Sequence, residues 1–363
     1  MESSSLKIAN NKAPGFFANL LMKNAARKTS PCKITACDLS PTSTVLLELE
    51  KRSDHLFIHR LDIIKNLFRD QKPALVLKPF LDGKKFQRDR LRVALKGHGV
   101  VIRFIRFPAM KLEDLRSAMK YEAEQYIPFE LKDVVLDFEV VEPSLKTDDG
   151  EKMEVMLAVI KRQELDPTLE IFRNLECGLS VVDVDILAAM SALEYFHPDD
   201  FAGHVGLLDL GNEISTLGIV RESKPRFIRD ISYGTFDLFK RMKTRSSLLD
   251  EKVERFFETN ETPSPEVAQA IAESLDGLIG DLRVSFDYYQ DQFGQTKPIT
   301  KLFLSGGVSH PAVLKALSDG LQIPASGMQI LSKIQFSQEV DAALLKTNES
   351  LLPVALGLGI REE

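Results

Sequence analysis

One pattern, used twice, constrains this chain more than any other feature. Ile34-Thr35-Ala36-Cys37-Asp38-Leu39-Ser40-Pro41-Thr42-Ser43-Thr44 is an apolar strand ending in aspartate, then a turn, then the start of a second aliphatic strand. Gly206-Leu207-Leu208-Asp209-Leu210-Gly211-Asn212-Glu213-Ile214-Ser215-Thr216 repeats the design in the second half. Short aliphatic and β-branched runs separated by turn-forming residues read as hairpins. Two such hairpins facing each other across a cleft can cradle a triphosphate. Turn amides then point at phosphate oxygens, while Asp38 and Asp209 hold Mg²⁺ and its waters. A third element, Leu302-Phe303-Leu304-Ser305-Gly306-Gly307-Val308, is a strand ending in a glycine pair. Those glycines either let a nucleoside lie close to the backbone or serve tight strand–helix packing. A strand ending in Asp-X-Gly is common by itself; the ordered trio is far more specific.

The rest of the chain alternates strands and helices. A β-meander is expected over 34–39, 44–50 and 56–58, and a strand pair over Leu91–Leu95 and 100–107 around Gly97-His98-Gly99. Arg92, Lys96, Arg103 and Arg106 alternate there with Val and Ile, which predicts one solvated sheet face. Leu112, Leu115, Met119, Glu122 and Tyr126 have helical spacing, ended by Pro128. Strands over 134–141 and 154–160 follow, then a helix over 163–176 with Gly178 as its left-handed cap, a strand over 181–185 and a helix over 186–196. His197-Pro198-Asp199-Asp200 marks a boundary. Beyond it come strands over 205–210, 214–221 and Lys224–Ile231, and a long helix N-capped by Ser264 with Pro265 at its first position. Ile271, Leu275, Leu278, Ile279, Leu282 and Phe286 form the buried stripe of that helix. A strand over 299–304, a helix to Leu317 and an apolar segment over 351–360 complete the pattern.

Charge is unevenly placed. The chain has 47 bases and 53 acids, a net of -6, yet residues 1–33 hold six bases (Lys7, Lys12, Lys23, Arg27, Lys28, Lys33) and one acid. A basic arm on an acidic body argues against a dedicated nucleic-acid binder, whose footprint is a broad basic face. Within the arm, Phe16, Phe17, Leu20 and Leu21 beside Lys23, Arg27 and Lys28 suit either a membrane-surface or partner-docking helix or a disordered leader. Three cysteines (Cys32, Cys37, Cys177) with no paired CxxC segments exclude a disulfide scaffold and a thiolate zinc site, so a reducing compartment is expected. No run reaches the roughly 20 apolar residues of a membrane span.

The trio resembles the phosphate-1, phosphate-2 and adenosine motifs of the actin-like ATPase fold shared by actin, sugar kinases and FtsA. Arg103-Phe104-Ile105-Arg106-Phe107-Pro108, Leu112-Glu113-Asp114-Leu115 and Tyr121-Glu122-Ala123-Glu124-Gln125-Tyr126-Ile127-Pro128-Phe129 narrow it: with Val134-Val135-Leu136-Asp137-Phe138 they look like PilM, the inner-membrane assembly protein of type IV pili. Glu339-Val340-Asp341 and Ala355-Leu356-Gly357-Leu358-Gly359 are similar to that family too. The resemblance implies an α/β, two-lobed fold of RNase H-like repeats with an inserted small α/β subdomain. On that expectation residues 1–32 are a basic leader, 33–200 the first lobe with its insertion at about 91–176, and 201–363 the second lobe with a helical part at about 236–297. It implies ATP and Mg²⁺ as cofactors, with Asp38, Ser40, Thr42, Ser43, Asp209, Gly211, Asn212, Gly234, Gly306 and Gly307 around the nucleotide and Asp38 and Asp209 at the metal. It further implies a cytoplasmic scaffold peripheral to the inner membrane. Such a scaffold holds the short tail of a PilN-like membrane protein beside the insertion, through Arg103, Tyr126, Ile127 and Phe129. It couples that tail to other pilus inner-membrane components and to the motor ATPase, and self-association stays open.

Departures from the family pattern bear on the cofactor. Ser40 stands where the first loop usually has glycine, Pro41 has no amide hydrogen to donate, and Val45 occupies the position of a lysine. Glu213 adds negative charge to the second loop, Tyr233-Gly234 replaces a glycine pair, and the usual Ala-Glu…Lys element is not evident at 249–252. Weak or lost nucleotide binding is therefore expected, and no turnover. Asp183 and Asp185 read as a solvated strand tip, and 126–129 as either core closure or a peptide-docking patch. Two alternatives share the fold: an active ATPase or sugar-kinase-like transferase, and the cytoplasmic part of a type II secretion platform of the GspL type. The lack of a membrane span after residue 330 counts against the latter.

Overall fold

The computed structural model of the chain describes residues 33–40, 42–65, 73–83, 85–97, 99–147, 150–245, 253, 256–257, 259, 261–293 and 298–361. The leader with its Phe16 to Lys28 segment, Pro41 and the stretch 249–252 lie outside the described residues.

Strands β1 (Lys33–Asp38), β2 (Ser43–Lys51) and β3 (Leu56–Lys65) form the meander, followed by helix α1 (Pro73–Gly83) and β4 (Leu91–Leu95). Strand β5 (Val100–Pro108), helix α2 (Leu112–Glu122), β6 (Val134–Thr147) and β7 (Gly150–Lys161) come next, then α3 (Arg162–Asn174), β8 (Leu179–Val184), α4 (Asp185–Phe196) and the short α5 (Pro198–Phe201). The second half holds β9 (His204–Leu210), β10 (Ser215–Arg221), β11 (Lys224–Ile231), α6 (Thr235–Arg245) and α7 (Pro265–Phe293). It continues with β12 (Lys301–Gly306), α8 (Pro311–Leu321), β13 (Ala325–Gly327), β14 (Ile334–Phe336), α9 (Ala342–Thr347) and α10 (Pro353–Ile360).

Two mixed sheets repeat one topology. The first runs β14-β3-β2-β1-β4-β8, the second β11-β10-β9-β12-β13. In each, an antiparallel meander is followed by strands parallel to its first member: β4 beside β1 and β8 beside β4 in one, β12 beside β9 and β13 beside β12 in the other. Strands covered on both faces are rich in apolar residues, and Leu91, Val93, Ala94 and Leu95, like Leu207, Leu208 and Leu210, are buried accordingly. A third, antiparallel sheet, β5-β7-β6, stands between β4 and β8 in the chain. Its α2 face has its own core of Ile105, Phe107, Leu115, Met119, Val155 and Leu157.

Two expectations fail. Leu91–Leu95 and the strand after it do not pair: β4 joins the first sheet and β5 the inserted one. Five consecutive buried residues belong to a central parallel strand, whereas β5, with Arg103 and Arg106 exposed among buried Ile102, Ile105 and Phe107, is the edge of the inserted sheet. Arg92 is consequently not on a solvated face. It is 2% exposed, and its guanidinium donates to the Leu358 carbonyl at 2.8 Å and to the Arg361 carbonyl. Nor is Gly178 the cap of α3: Glu176 takes the left-handed conformation, at φ 55°. The Gly178 amide instead donates to the Arg88 carbonyl at 2.7 Å, tying the approach of β8 to the loop before β4.

The last described strand and helix return to the first lobe. β14 pairs with β3, and α10 packs on β1, β2 and α4, although sequence order alone places 334–360 with the second half. This helix is buried along its whole length, so it has no polar face to offer water. Its crossing with α4 depends on Gly357, where an added Cβ would sit 1.7 Å from the Ala188 carbonyl oxygen. Gly357→Ala is expected to force the helices apart and to cost at least the ~1–3 kcal/mol of overpacking. Thermal unfolding of the purified variant checks this.

Candidate functional site

In parallel sheets the ends of the strands converge on a crevice, and ligand-binding groups collect there. Asp38 ends β1 and Asp185 opens α4 just beyond β8, both on the first lobe. Asp209 lies near the end of β9, and Gly306 ends β12 on the second. All but Asp185 line one cleft that is open to solvent. The same cleft is lined by Ser40, Thr42, Ser43, Gly211, Asn212 and Gly307, with Thr235, Ser350 and Pro353 added. Nine of the ten residues expected around a nucleotide therefore share it. Gly234 sits directly behind, where an added Cβ would meet the Asn212 carbonyl oxygen at 2.0 Å. Gly306 has φ 95°, a conformation that favours glycine, where the strand passes close to Leu210.

Hydrogen bonds hold the second turn against α6. Thr235 and Phe236 donate their amides to the carbonyls of Gly211 and Asn212, each at 2.9 Å. These turn carbonyls thereby satisfy N–H groups at the start of the helix. Ser305 Oγ donates to Asp209 Oδ1 at 2.9 Å, fixing that carboxylate from the neighbouring strand.

Sequence reasoning missed Lys96 and set aside Asp185. Strand β4 pairs with β1 so that Ala94 lies opposite Asp38, and Lys96 projects just past the strand end into the cleft. Its ammonium contacts Asp209 across the cleft and lies 3.3 Å from Asp185 Oδ2. Asp185 is 3% exposed; its Oδ1 accepts the Ile186 amide at 2.7 Å. A solvated tip is excluded for both aspartates: Asp183 is fully buried and contacts Arg361. The usable signal for Lys96 was the apolar run Val93-Ala94-Leu95 followed at once by a lysine and a glycine, which marks the end of a buried strand. Val45, at the position where the family has lysine, lies opposite Asp38 in the hairpin and is fully buried in the first core.

Electrostatics follow from this crowding. Burial pushes the Asp38 carboxyl up to about 8, against the pull of Lys96 and with Asp209 and Asp185 adding to the rise. Burial likewise raises Asp185 to about 6, opposed by Lys96. Desolvation works to lower the Lys96 pKa, but Asp209 and Asp185 outweigh it and hold the ammonium above its ordinary range. Among the described residues no three His, Cys, Asp or Glu side chains are disposed to hold a metal ion. The cation among these carboxylates is the lysine, so the donor set does not fit the Mg²⁺ expected at Asp38 and Asp209.

The residues expected to meet a partner lie on the inserted sheet and its connections. Ile127 is buried in that subdomain's core. Tyr126 and Phe129 are half-buried around it: the Tyr126 ring stands edge-on to Phe107 at 6.1 Å, and Lys161 Nζ lies 4.3 Å from the centre of the Phe129 ring. Arg103 on β5 is exposed and donates to the Ile102 carbonyl at 2.9 Å. Tyr121 nearby in sequence is 79% exposed. Arg106, expected to be solvated beside it, is exposed as well.

No helix among the described residues is long and apolar enough to cross a membrane. The chain is similar in structure to a protein of the PilM-PilN type IV pilus biogenesis complex, with a TM-score of 0.75 and 23% identity over 91% of this chain and 99% of that one. It is also similar to the ethanolamine utilization protein EutJ from Carboxydothermus hydrogenoformans, with a TM-score of 0.51 and 11% identity over 92% of this chain and 91% of that one. These likenesses, with two repeated sheets meeting at an aspartate-lined cleft, identify the actin-like ATPase fold. The family model of the type IV pilus assembly protein PilM matches residues 38–363, and the chain belongs to that family.

Proposed function

We propose that this protein is a cytoplasmic scaffold of type IV pilus assembly that captures the short tail of a PilN-like membrane protein beside its inserted subdomain. The observation that carries the reading is the family match over 38–363 together with a fold that aligns with the protein of the PilM-PilN complex along almost its whole length. Arg103, Tyr126 and Phe129 supply a guanidinium and two aromatic faces, the residue types that anchor peptides. Through the bound tail the scaffold is held at the inner membrane and linked to other inner-membrane components and the motor. The nucleotide cleft is degenerate in this reading, because Val45 is buried where a phosphate-binding lysine would stand.

Calorimetry with synthetic peptides of the short cytoplasmic tails of PilN-like membrane proteins tests the proposal. The expected dissociation constant is about 1 μM or tighter, near -8 kcal/mol. Arg103→Ala and Phe129→Ala are each expected to weaken capture about tenfold. No heat of binding with any pilus inner-membrane tail would overturn the assignment.

A further inference from the structure

The ammonium of Lys96 sits between carboxylates of the two lobes. It reaches Asp209 from one side and lies 3.3 Å from Asp185 on the other, with Asp38 on the strand adjoining β4. Asp185 Oδ2 is buried, and Lys96 is its charge partner. Lys96 also packs against the turn: a Cβ on Gly211 would meet the Ile214 carbonyl oxygen at 2.2 Å first, and Lys96 Cε and Nζ at 3.0 and 3.1 Å next.

We propose that Lys96 is a built-in cation that replaces a divalent metal in the cleft, so that the site excludes Mg²⁺ and admits an anionic phosphate ligand, if any, only metal-free. The physical argument is exclusion. Mg²⁺ takes six oxygens at about 2.0–2.1 Å, one or two from carboxylates and the rest from water and phosphate, so it needs free carboxylate oxygens and open room around them. Asp209 and Asp185 already face one ammonium, and a second cation among them would meet its full repulsion across a few ångströms. The lysine cannot withdraw cheaply, because buried carboxylates left unpaired are strongly unfavourable. The inference concerns the cleft alone and stands or falls apart from tail capture.

Mn²⁺ titration followed by electron paramagnetic resonance, with and without ADP, tests it on the full-length protein. Wild type is expected to bind no Mn²⁺ in the cleft in either condition. Lys96→Ala, which uncovers the carboxylates, is expected to gain Mn²⁺ affinity by at least about tenfold, and Asp209→Asn added to it should remove the gain. Mn²⁺ bound by wild type and lost in Asp209→Asn overturns the proposal, as does a folded Lys96→Ala that gains nothing. Should Lys96→Ala fail to fold, Lys96→Gln takes its place, being neutral and close in length, and the wild-type titration still decides.

Discussion

Arg361→Ala is expected to destabilise the first lobe by about 3–5 kcal/mol, the cost of stranding a buried charge. Arg361 lies just past α10, 7% exposed, with its guanidinium on the fully buried Asp183 at the end of β8. The other oxygen of Asp183 accepts the Val184 amide at 2.8 Å. Burial pulls the Arg361 pKa down to about 10, which leaves the group charged at neutral pH. Arg92 completes the cluster by capping the Leu358 and Arg361 carbonyls, groups that a helix terminus otherwise leaves without partners. Removing Arg361 takes the counter-charge from Asp183 and loosens the end of a helix that belongs to the core. Against a total stability of about 5–15 kcal/mol this is a large fraction. Urea unfolding gives the measurement, and Arg361→Ala combined with Asp183→Asn should recover part of the loss, because the stranded charge is then gone. An unshifted midpoint for the single variant would show that the cluster is dispensable.

Arg226→Ala is expected to have a comparable effect with a different address. Arg226 sits on β11, 3% exposed, and donates to Glu154 of β7 at 2.5 Å and to Glu142 of β6 at 3.1 Å. Lys224 donates to the same Glu142 oxygen at 2.8 Å, while the Arg106 guanidinium lies 3.8 Å from Glu154. This network joins the edge of the second sheet to the inserted sheet. Glu154 is 2% exposed, so losing Arg226 leaves it with the longer, exposed contact with Arg106, at a cost of about 3–5 kcal/mol. The expected signature is faster amide exchange over 134–161 and 224–231, with α10 and α4 unchanged. For a tail held beside the insertion, capture should weaken in parallel. The network also has a pH dependence. Burial works to raise the Glu142 carboxyl, but hydrogen bonds from Lys224 and Arg226 outweigh it and hold the pKa below the ordinary 4.5. Its contribution is therefore fully present above that value and is lost as pH falls through the lower folded one.

Local rules reached as far as local physics does. The hairpins ending in Asp38 and Asp209 were legible because strand alternation and turn residues act over a few positions. Ser264 was legible as a cap for the same reason, and its Oγ does accept the Val267 amide at 3.3 Å. The buried stripe of α7 followed from helical period, and all six of its expected residues are buried. The basic residues between 92 and 106 show where that reach stops. Charge suggested water for all four, yet Arg92 and Lys96 find partners more than 100 residues away. Such partners carry no signature in the residues beside them.

From its sequence alone, the chain is a twofold repeat of hairpins placing aspartates, a hydroxyl-rich turn and a glycine pair in order along it, and the motifs of the type IV pilus family are already there. Only the tertiary structure decided what those aspartates face. Strand order set β4 beside β1 and closed the lobes on Lys96, turning an expected metal cradle into an ion-paired joint. Periodicity encodes which side of an element is apolar, whereas charge pairing depends on which strand ends meet, and that meeting exists only in the packed molecule.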